Sequence, residues 1–311
     1  MSTAIPPHQD LLTFAAAARA GDIGTLRALI ARGIDPAWPE EWARKADGQF
    51  PLHEAAYAGQ GLAVEYLLQA GAAIDRLDFS WWTPLMHAVK AGQKDMARLL
   101  LSRGADPYLR REGTLSPLAI AVGKRAPNLV RLLLELGVDP NDDISPGEAA
   151  LSVPPLIVAA RALPHATGVE IAQALILAGA DPEPNRSLSA LTGRPDAVAR
   201  EPALIEVCTQ ASAAPRVAWE AKILADAAAL LIEYGAAPDR VDRFGYNGLY
   251  HAAKGGNLAL AEALVSGGAA PYILRLSPDT GQSERLRPEW RTRHQRRVQA
   301  WLDGVAAASR P

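Results

Sequence analysis

The sequence predicts an all-α fold, an α-solenoid of about seven short helix pairs closed by a C-terminal capping helix. The first observation behind this prediction is a set of recurring glycines that each follow an apolar run: Gly33, Gly71, Gly104, Gly137, Gly179, Gly235 and Gly268. The second is a pair of bulky apolar residues that lies at the same distance before each of these glycines. Helices this short are marginal alone, so neighbouring pairs must stack.

The clearest unit is Trp82–Tyr108. Thr83 supplies a side-chain cap and Pro84 occupies the first helical position, where the missing amide hydrogen costs nothing. Gly92 breaks this first helix, and a second apolar helix then ends at Gly104, since glycine tolerates the left-handed conformation of a helix end. The unit is therefore a helix, a turn, a second helix and a sharp stop.

Four segments of the sequence share the pattern of the first helix in this unit. They are PLHEAAYAG at Pro51–Gly59, TPLMHAVKAG at Thr83–Gly92, SPLAIAV at Ser116–Val122 and DRFGYNGLYHAAKGG at Asp242–Gly256. These segments resemble the ankyrin-repeat signature. The resemblance implies a curved stack of helix pairs with hairpin-like fingers along one edge, and a concave face that binds another macromolecule.

On this basis the chain divides into three parts. Residues 10–273 form the ankyrin-repeat solenoid, residues 274–287 form a polar linker, and residues 288–308 form the capping helix. Leu11–Ala20 and Gly24–Arg32 make the first helix pair, which is followed by a long connection with Trp38 and Trp42. We expect one of these tryptophans to seal the end of the stack.

Two segments are irregular. Residues 141–153 are acidic and rich in turn formers, and residues 182–216 combine a loop with a helix over Pro202–Ala211. A long second helix is then predicted over Arg216–Tyr234. Insertions in repeat arrays often lie on the binding face, although loops also lengthen by neutral drift, and both alternatives remain open.

The predicted capping helix has an apolar side and a basic side. Its apolar side contains Trp290, Val298, Trp301 and Val305. Its arginines point elsewhere: Arg291, Arg293, Arg296 and Arg297. Because an uncovered terminal repeat would expose apolar surface, capping is the favoured role, and contact with RNA or an acidic protein is the alternative.

The composition limits the location and the partners. The net charge of −2 argues against a general nucleic-acid binder. The single cysteine, Cys208, excludes an internal disulfide, and we expect a cytoplasmic protein because no secretory signal or membrane-spanning stretch is visible. Arginine far outnumbers lysine and alanine is abundant, a bias typical of GC-rich bacterial genomes.

Motifs for chemistry are missing from the sequence. It contains no glycine-rich phosphate loop, HExxH, GxSxG or CxxC. Cys208 could pair only with His165 or His251, and its apolar surroundings indicate an inert thiol. His53 is expected to bond within its own turn, and His87 and His251 belong to separate turns. We therefore predict no enzyme activity, no catalytic residue, no cofactor and no metal.

Residues that stacking leaves free are the candidates for partner binding. Aromatic residues occupy the predicted fingers, namely Phe79, Trp81, Trp82, Phe244 and Tyr246, with Arg243 beside them. The ends of the first helices carry Arg19, Tyr57, Lys90, Lys124, Arg161 and Lys254. Apart from Tyr57 these form a basic line, which would attract an acidic partner or would simply be favourable helix-end cations.

The sequence thus predicts a non-catalytic protein-protein interaction module, monomeric when free. The more specific hypothesis is a bacterial immunity-type inhibitor that blocks a toxin or effector with an acidic contact surface. The alternatives are an adaptor or scaffold that joins two partners, and nucleic-acid contact through the arginine-rich terminal helix. No membrane contact is expected.

Overall fold

The computed structural model describes residues 6–111, 114–142, 154–163, 165–183, 202–212, 218–276, 283–286, 288 and 292–308. The fold is all-α, as predicted, with sixteen helices and one two-stranded antiparallel sheet in these ranges. The chain forms two compact units, of which the first ends at Val138 and the second begins at Asp139. The sequence predicted one run over residues 10–273, and the structure divides that run at this point.

The first unit is built from helix pairs that pack in sequence. Its helices are α1 (His8–Ala20), α2 (Ile23–Ala31), α3 (Glu40–Lys45), α4 (Pro51–Tyr57), α5 (Gly61–Gln69), α6 (Pro84–Ala91), α7 (Lys94–Ser102), α8 (Pro117–Gly123) and α9 (Pro127–Glu135). The first helices of the pairs form a row in which α1 packs on α4, α4 on α6 and α6 on α8. Each pair thereby buries the apolar side that it cannot bury alone.

Local chemistry sets the ends of these helices. Thr83 caps α6, because its hydroxyl oxygen accepts a hydrogen bond from the Met86 amide at 3.2 Å. Ser116 caps α8 in the same way through the Ala119 amide at 3.1 Å. Gly92 ends α6 with a φ of +81°, in the left-handed region that glycine adopts without strain.

Both tryptophans of the long connection are buried at the N-terminal end of the first unit, where the sequence predicted one. The Trp38 ring stacks on Phe14 with the centroids 5.5 Å apart, and Trp42 meets Trp38 edge-on at 6.0 Å. The Trp38 indole nitrogen donates to the Gln49 carbonyl at 3.0 Å. These rings cover α1 and close this end of the apolar core.

The second unit has the same organisation. Its helices are α10 (Pro155–Arg161), α11 (Ala166–Leu177), α12 (Ala203–Gln210), α13 (Ala218–Glu233), α14 (Gly248–Gly255), α15 (Leu258–Ser266) and α16 (Arg293–Ala308). One row contains α10, α12, α14 and α16, and the other contains α11, α13 and α15. The predicted long helix near Arg216–Tyr234 corresponds to α13, although residues 213–217 lie outside the described residues.

The segment 274–287, predicted to be a linker, contains a short sheet. Strand β1 (Leu274–Leu276) pairs antiparallel with β2 (Ser283–Arg285), with Arg275 opposite Glu284. The other edge of β1 pairs with the preceding finger, where the Leu276 amide donates to the Gly245 carbonyl at 2.7 Å. Because backbone groups of a finger need partners, the polar segment is drawn into a sheet.

The terminal helix packs on α14 and α15, which agrees with the predicted capping position. It begins at Arg293 rather than at Pro288, and residues 289–291, with Trp290 and Arg291, lie outside the described residues. The buried residues are Val298, Leu302 and Ala306, whereas Trp301 and Val305 are half-buried. The buried stripe is thus rotated by one residue from the predicted one, while Arg293, Arg296 and Arg297 are exposed as predicted.

Most of the two irregular segments lies outside the described residues. This applies to residues 143–153 and 184–201, so their predicted role in binding stays a prediction. At the edges of these segments, the Asn141 side chain donates to the Gly179 carbonyl at 3.0 Å and accepts from the Asp181 amide at 2.7 Å. These bonds tie the turn after Asp139 to the turn that follows α11.

Candidate partner-binding surface

Two fingers with the same backbone geometry precede α6 and α14. In the first, the Asp78 amide donates to the Trp82 carbonyl at 2.9 Å, and in the second the Asp242 amide donates to the Tyr246 carbonyl at 2.9 Å. The aspartate carboxylate closes each turn through two further amides. Asp78 accepts from Ser80 and Trp82 at 2.8 and 2.9 Å.

A histidine from the following helix holds each of these aspartates. His87 Nε2 donates to Asp78 Oδ2 at 2.8 Å, and His251 Nε2 donates to Asp242 Oδ2 at 3.0 Å. Burial alone would raise the pKa of Asp78, but hydrogen bonds from His87 and the Trp82 amide outweigh burial and lower it. The ionised carboxylate of Asp78 therefore fastens the first finger to α6, and Asp242 makes the same contacts between the second finger and α14.

The turn of the first finger contains a tryptophan in a conformation that favours glycine. Trp81 has a φ of +63°, and the equivalent residue of the second finger is Gly245, with a φ of +84°. A residue with a side chain in this left-handed region of φ destabilises the folded state by about 1–2 kcal/mol. The Trp81 ring is 45% exposed, so burial of the ring does not account for its presence. Strain of this kind concentrates at functional sites.

Aromatic rings and cations alternate on the surface of the first unit. Phe79 is 47% exposed and packs edge-on against Phe50 at 5.3 Å. The guanidinium of Arg111 lies 4.5 Å from the Trp81 ring centroid. The Lys90 ammonium lies 4.6 Å from the Trp82 centroid. Trp82 itself is half-buried, so part of this ring is open to solvent.

The predicted helix-end residues of the first unit are all exposed. Arg19 forms an ion pair with Glu54 at 3.0 Å, and its guanidinium lies 5.9 Å from the Tyr57 centroid. Tyr57 in turn faces His87 at 6.4 Å between centroids. Lys124 follows α8 as its C-cap residue. The predicted basic line is therefore partly neutralised at Arg19 and interleaved with aromatic rings.

A cavity of about 740 Å³ lies beside the finger of the first unit. Phe50, Phe79 and Trp81 line it, together with Glu40 and residues 73–78. The cavity thus adjoins the strained tryptophan and the exposed phenylalanine. Aromatic side chains next to a recess are typical of the anchor positions of protein interfaces.

In the second unit, the structure brings all five predicted residues together around one groove of about 670 Å³. They are Arg161, Arg243, Phe244, Tyr246 and Lys254. The Phe244 ring is 61% exposed, and the Arg243 guanidinium lies 4.9 Å from its centroid. The groove therefore combines an exposed aromatic tip with cations.

The acidic residues of this groove are already bound. Glu206 accepts a hydrogen bond from Arg161 Nε at 3.2 Å, and its side chain is 13% exposed. Asp242 is buried and accepts the amides of Phe244 and Tyr246 at 2.8 and 2.9 Å. Lys254 and Arg243 are exposed at the solvent side of the groove, and the Arg161 side chain is 50% exposed.

Three histidines, His53, His87 and His251, form hydrogen bonds with the fingers. The prediction that His53 bonds within its own turn is wrong, because its Nε2 donates to the Trp82 carbonyl of the next unit at 3.0 Å. Ser212 donates to His251 Nδ1 at 2.7 Å, which extends the pair with Asp242 to three residues. Because the Asp78–His87 pair repeats the same geometry, we interpret the Asp–His pair as a fastening of the finger.

The cysteine has the environment that the sequence predicted. Cys208 is fully buried, and burial raises the pKa of its thiol to about 12. A thiol that stays protonated is a poor nucleophile. Within the described ranges, no group of three or more histidine, cysteine or carboxylate side chains could hold a metal ion.

Several residues of this surface escaped the sequence analysis. Tyr250 stacks on Tyr246 with centroids 4.1 Å apart, and Arg275 lies 5.5 Å from the Tyr246 centroid. Arg111 covers Trp81 from the next finger. The spacing of nine residues from Asp78 to His87, which recurs from Asp242 to His251, is the one signal in the sequence that could have identified the fastened fingers.

None of the helices in the part of the chain that the structure describes has both the length and the apolar character to cross a membrane. A search of curated proteins finds no match. A family model described as ankyrin repeats, in three copies, matches residues 13–111. The crystal structure of the human ASB11 ankyrin repeat domain is similar with a TM-score of 0.53 and 22% identity, over 82% of this chain and 97% of that domain. At that identity the likeness shows the fold alone, which is that of an ankyrin-repeat domain, and the family match shows ankyrin repeats over residues 13–111.

Proposed function

We propose that this protein binds another protein through its two fingers and the adjoining helix ends, and that it does so without catalysis. Ankyrin repeats are protein-protein interaction modules. The observation that carries the proposal is Trp81, an exposed ring on a backbone that favours glycine. A residue that is unfavourable for the fold and remains at the surface is best explained by contact with a partner.

The chemistry of the surface supports this function. Tryptophan, tyrosine and arginine dominate the binding energy of protein interfaces. The exposed rings of Trp81 and Phe244 adjoin cations, and the fingers that carry them are held by the Asp–His pairs. A rigid aromatic anchor loses little conformational entropy when it binds, so its contacts translate into affinity.

For the partner, we propose a toxin or effector that is occluded by binding, as in a bacterial immunity-type inhibitor. The arginine and alanine bias of the sequence, typical of GC-rich bacterial genomes, supports a bacterial source. The test is co-expression of the protein with the partner that it captures. If the partner is toxic alone and harmless with the wild type, but toxic again with Trp81→Ala, the inhibitor function holds.

An adaptor that joins two partners is the second candidate. It is favoured by the division into two compact units, each with its own finger and its own set of exposed aromatic residues and cations. Two partners would be captured by the wild type. Trp81→Ala would release one partner and Phe244→Ala the other, whereas an inhibitor of one partner would lose that same partner with both variants.

A further inference from the structure

A four-residue pattern recurs in the two units, and two of its members, an aromatic residue and a lysine, are not required for stacking. It consists of an aspartate, an aromatic residue four positions later, a histidine nine positions later and a lysine twelve positions later, and it occurs twice in the sequence: Asp78, Trp82, His87 and Lys90, and Asp242, Tyr246, His251 and Lys254. Stacking of helix pairs depends on the apolar and turn residues. The repetition of these four residues at one spacing therefore indicates a repeated site.

Two members of the pattern form its support. The aspartate closes the finger through backbone amides, and the histidine holds the aspartate at 2.8 Å in the first unit and 3.0 Å in the second. The histidine belongs to the helix that follows the finger, so its hydrogen bond to the aspartate fixes the position of the finger relative to that helix. The aromatic residue at the end of the finger is thereby positioned against the last turn of the helix.

The other two members are presented to solvent. The exposed Lys90 ammonium lies 4.6 Å from the Trp82 centroid. In the second unit the exposed Lys254 ammonium lies 5.8 Å from the centroid of Tyr250, whose ring stacks on Tyr246 at 4.1 Å. Each site thus offers one ammonium group beside a flat aromatic face. An exposed cation–aromatic contact contributes only about 0.5–1 kcal/mol, so the ammonium can turn towards a ligand.

We propose that each of these sites binds a carboxylate side chain of an acidic peptide segment, and that the protein has two such sites of the same chemistry, one in each unit. The carboxylate pairs with the lysine, and the methylene groups next to it lie on the aromatic face. This inference rests on the proposed function and specifies the chemistry of the partner segment.

The charges favour a peptide over a nucleic acid. Nucleic-acid binding requires several cations along a phosphate backbone. The first site has one lysine, and the neighbouring Arg19 is already paired with Glu54. In the second site Lys254 lies beside Arg161, which is paired with Glu206, and beside Arg243 and Arg275, whose guanidinium groups lie on the rings of Phe244 and Tyr246. A single ammonium beside an apolar face matches a carboxylate on a short aliphatic stem, as in glutamate.

The inference can be tested by calorimetric titration with a short peptide of repeated Glu-Glu-Leu triplets. Matched peptides carry glutamine or lysine in place of glutamate. The protein variants are Lys90→Glu, Lys254→Glu and the double change, and Lys94→Glu is the control because it reverses an exposed charge at the start of α7. Circular dichroism checks that all variants are folded.

The wild type and Lys94→Glu should each bind two acidic peptides. Lys90→Glu and Lys254→Glu should each bind one peptide, and the double variant should bind none. At the changed site the affinity should fall by about tenfold or more, because a like charge replaces the attraction. The neutral and basic peptides should bind at least about tenfold more weakly than the acidic one. Added salt should weaken the binding of the acidic peptide, because salt screens charges at exposed sites.

Three results would overturn the inference. They are an unchanged stoichiometry in the single variants, equal binding of the glutamine peptide, and tighter binding of an oligothymidine than of the acidic peptide. Capture of the protein partner separates this inference from the proposed function. If Trp81→Ala abolishes capture and the double lysine variant does not, the acidic-segment sites fail and the proposed function stands.

Discussion

Replacement of Trp81 by glycine should leave the fold at least as stable as replacement by alanine, while both changes weaken partner binding. Alanine removes the ring and keeps a side chain at a φ of +63°, whereas glycine also removes the strain. Relief of the strain stabilises the folded state by about 1–2 kcal/mol, whereas the greater freedom of glycine in the unfolded chain destabilises it by about 0.5–1 kcal/mol. The free energy of unfolding of Trp81→Gly should therefore exceed that of Trp81→Ala by about 1 kcal/mol.

Both variants also differ from the wild type in stability. Both variants lose the contact between Arg111 and the Trp81 ring at 4.5 Å, which contributes about 0.5–1 kcal/mol at an exposed site. Trp81→Gly should thus unfold in urea close to the wild type, and Trp81→Ala slightly earlier. Binding of the captured partner should fall by about tenfold or more in both.

Gly245 provides the matched control in the second finger. Gly245→Ala should destabilise the second unit by more than about 1 kcal/mol, because its φ is +84° and a Cβ atom would approach the Leu276 carbonyl oxygen to 2.2 Å. The reasoning is refuted if Trp81→Gly is clearly less stable than Trp81→Ala. Unchanged partner binding in both variants would show that the ring is not an anchor.

Three further predictions concern stability and reactivity. Leu100→Ala should cost about 2–5 kcal/mol in urea unfolding, since Leu100 is fully buried; a cost below about 1 kcal/mol would contradict the packing of α7. Burial, with a smaller effect of His87, lowers the pKa of His53 to about 4, so the folded state binds fewer protons than the unfolded state below pH 6.5. Stability should fall by up to about 3 kcal/mol as the pH drops from about 6.5 to 4, and His53→Gln should remove this part of the loss. Cys208 should react with a thiol reagent at pH 8 only after unfolding, and rapid labelling of the folded protein would show that the thiol is accessible.

The sequence predicted the helix pairs well because their signals are local. Thr83, Pro84 and Gly92 act within one helix, and the structure places the start and the end of α6 at these residues. The apolar pairs before each turn glycine likewise indicate the buried side of a single helix. Such signals do not depend on what the rest of the chain does, so they can be interpreted without it.

The candidate surface was predicted only in part, since its geometry depends on contacts between distant residues. The half-buried position of Trp82 results from packing against His87 and Lys90, and Arg275 reaches Tyr246 only because β1 pairs with the finger. The polar composition of residues 274–287 suits a linker or a hairpin equally. The neighbouring finger decides between them by supplying unpaired backbone groups.

The fastened fingers lay within reach of sequence analysis. Asp78 and Asp242 each precede a histidine by nine residues, and Trp81 occupies the position of Gly245. Superposition of the two finger sequences therefore exposes both the Asp–His pair and the unfavourable tryptophan. The hydrogen bond from His53 to the next unit depends on the stacking of α4 against α6 and has no such local signal.

The most direct test of the proposed binding surface is quantitative capture of partners from cell extract by three forms of the protein. The forms are the wild type, a variant with Trp81→Ala and Phe244→Ala, and a control with Leu62→Ala and Leu177→Ala, which removes two even more exposed apolar side chains from α5 and α11. The wild type and the control should recover the same partner, and the finger variant should lose it. Loss of the partner in the control, with full recovery by the finger variant, would contradict binding through the fingers.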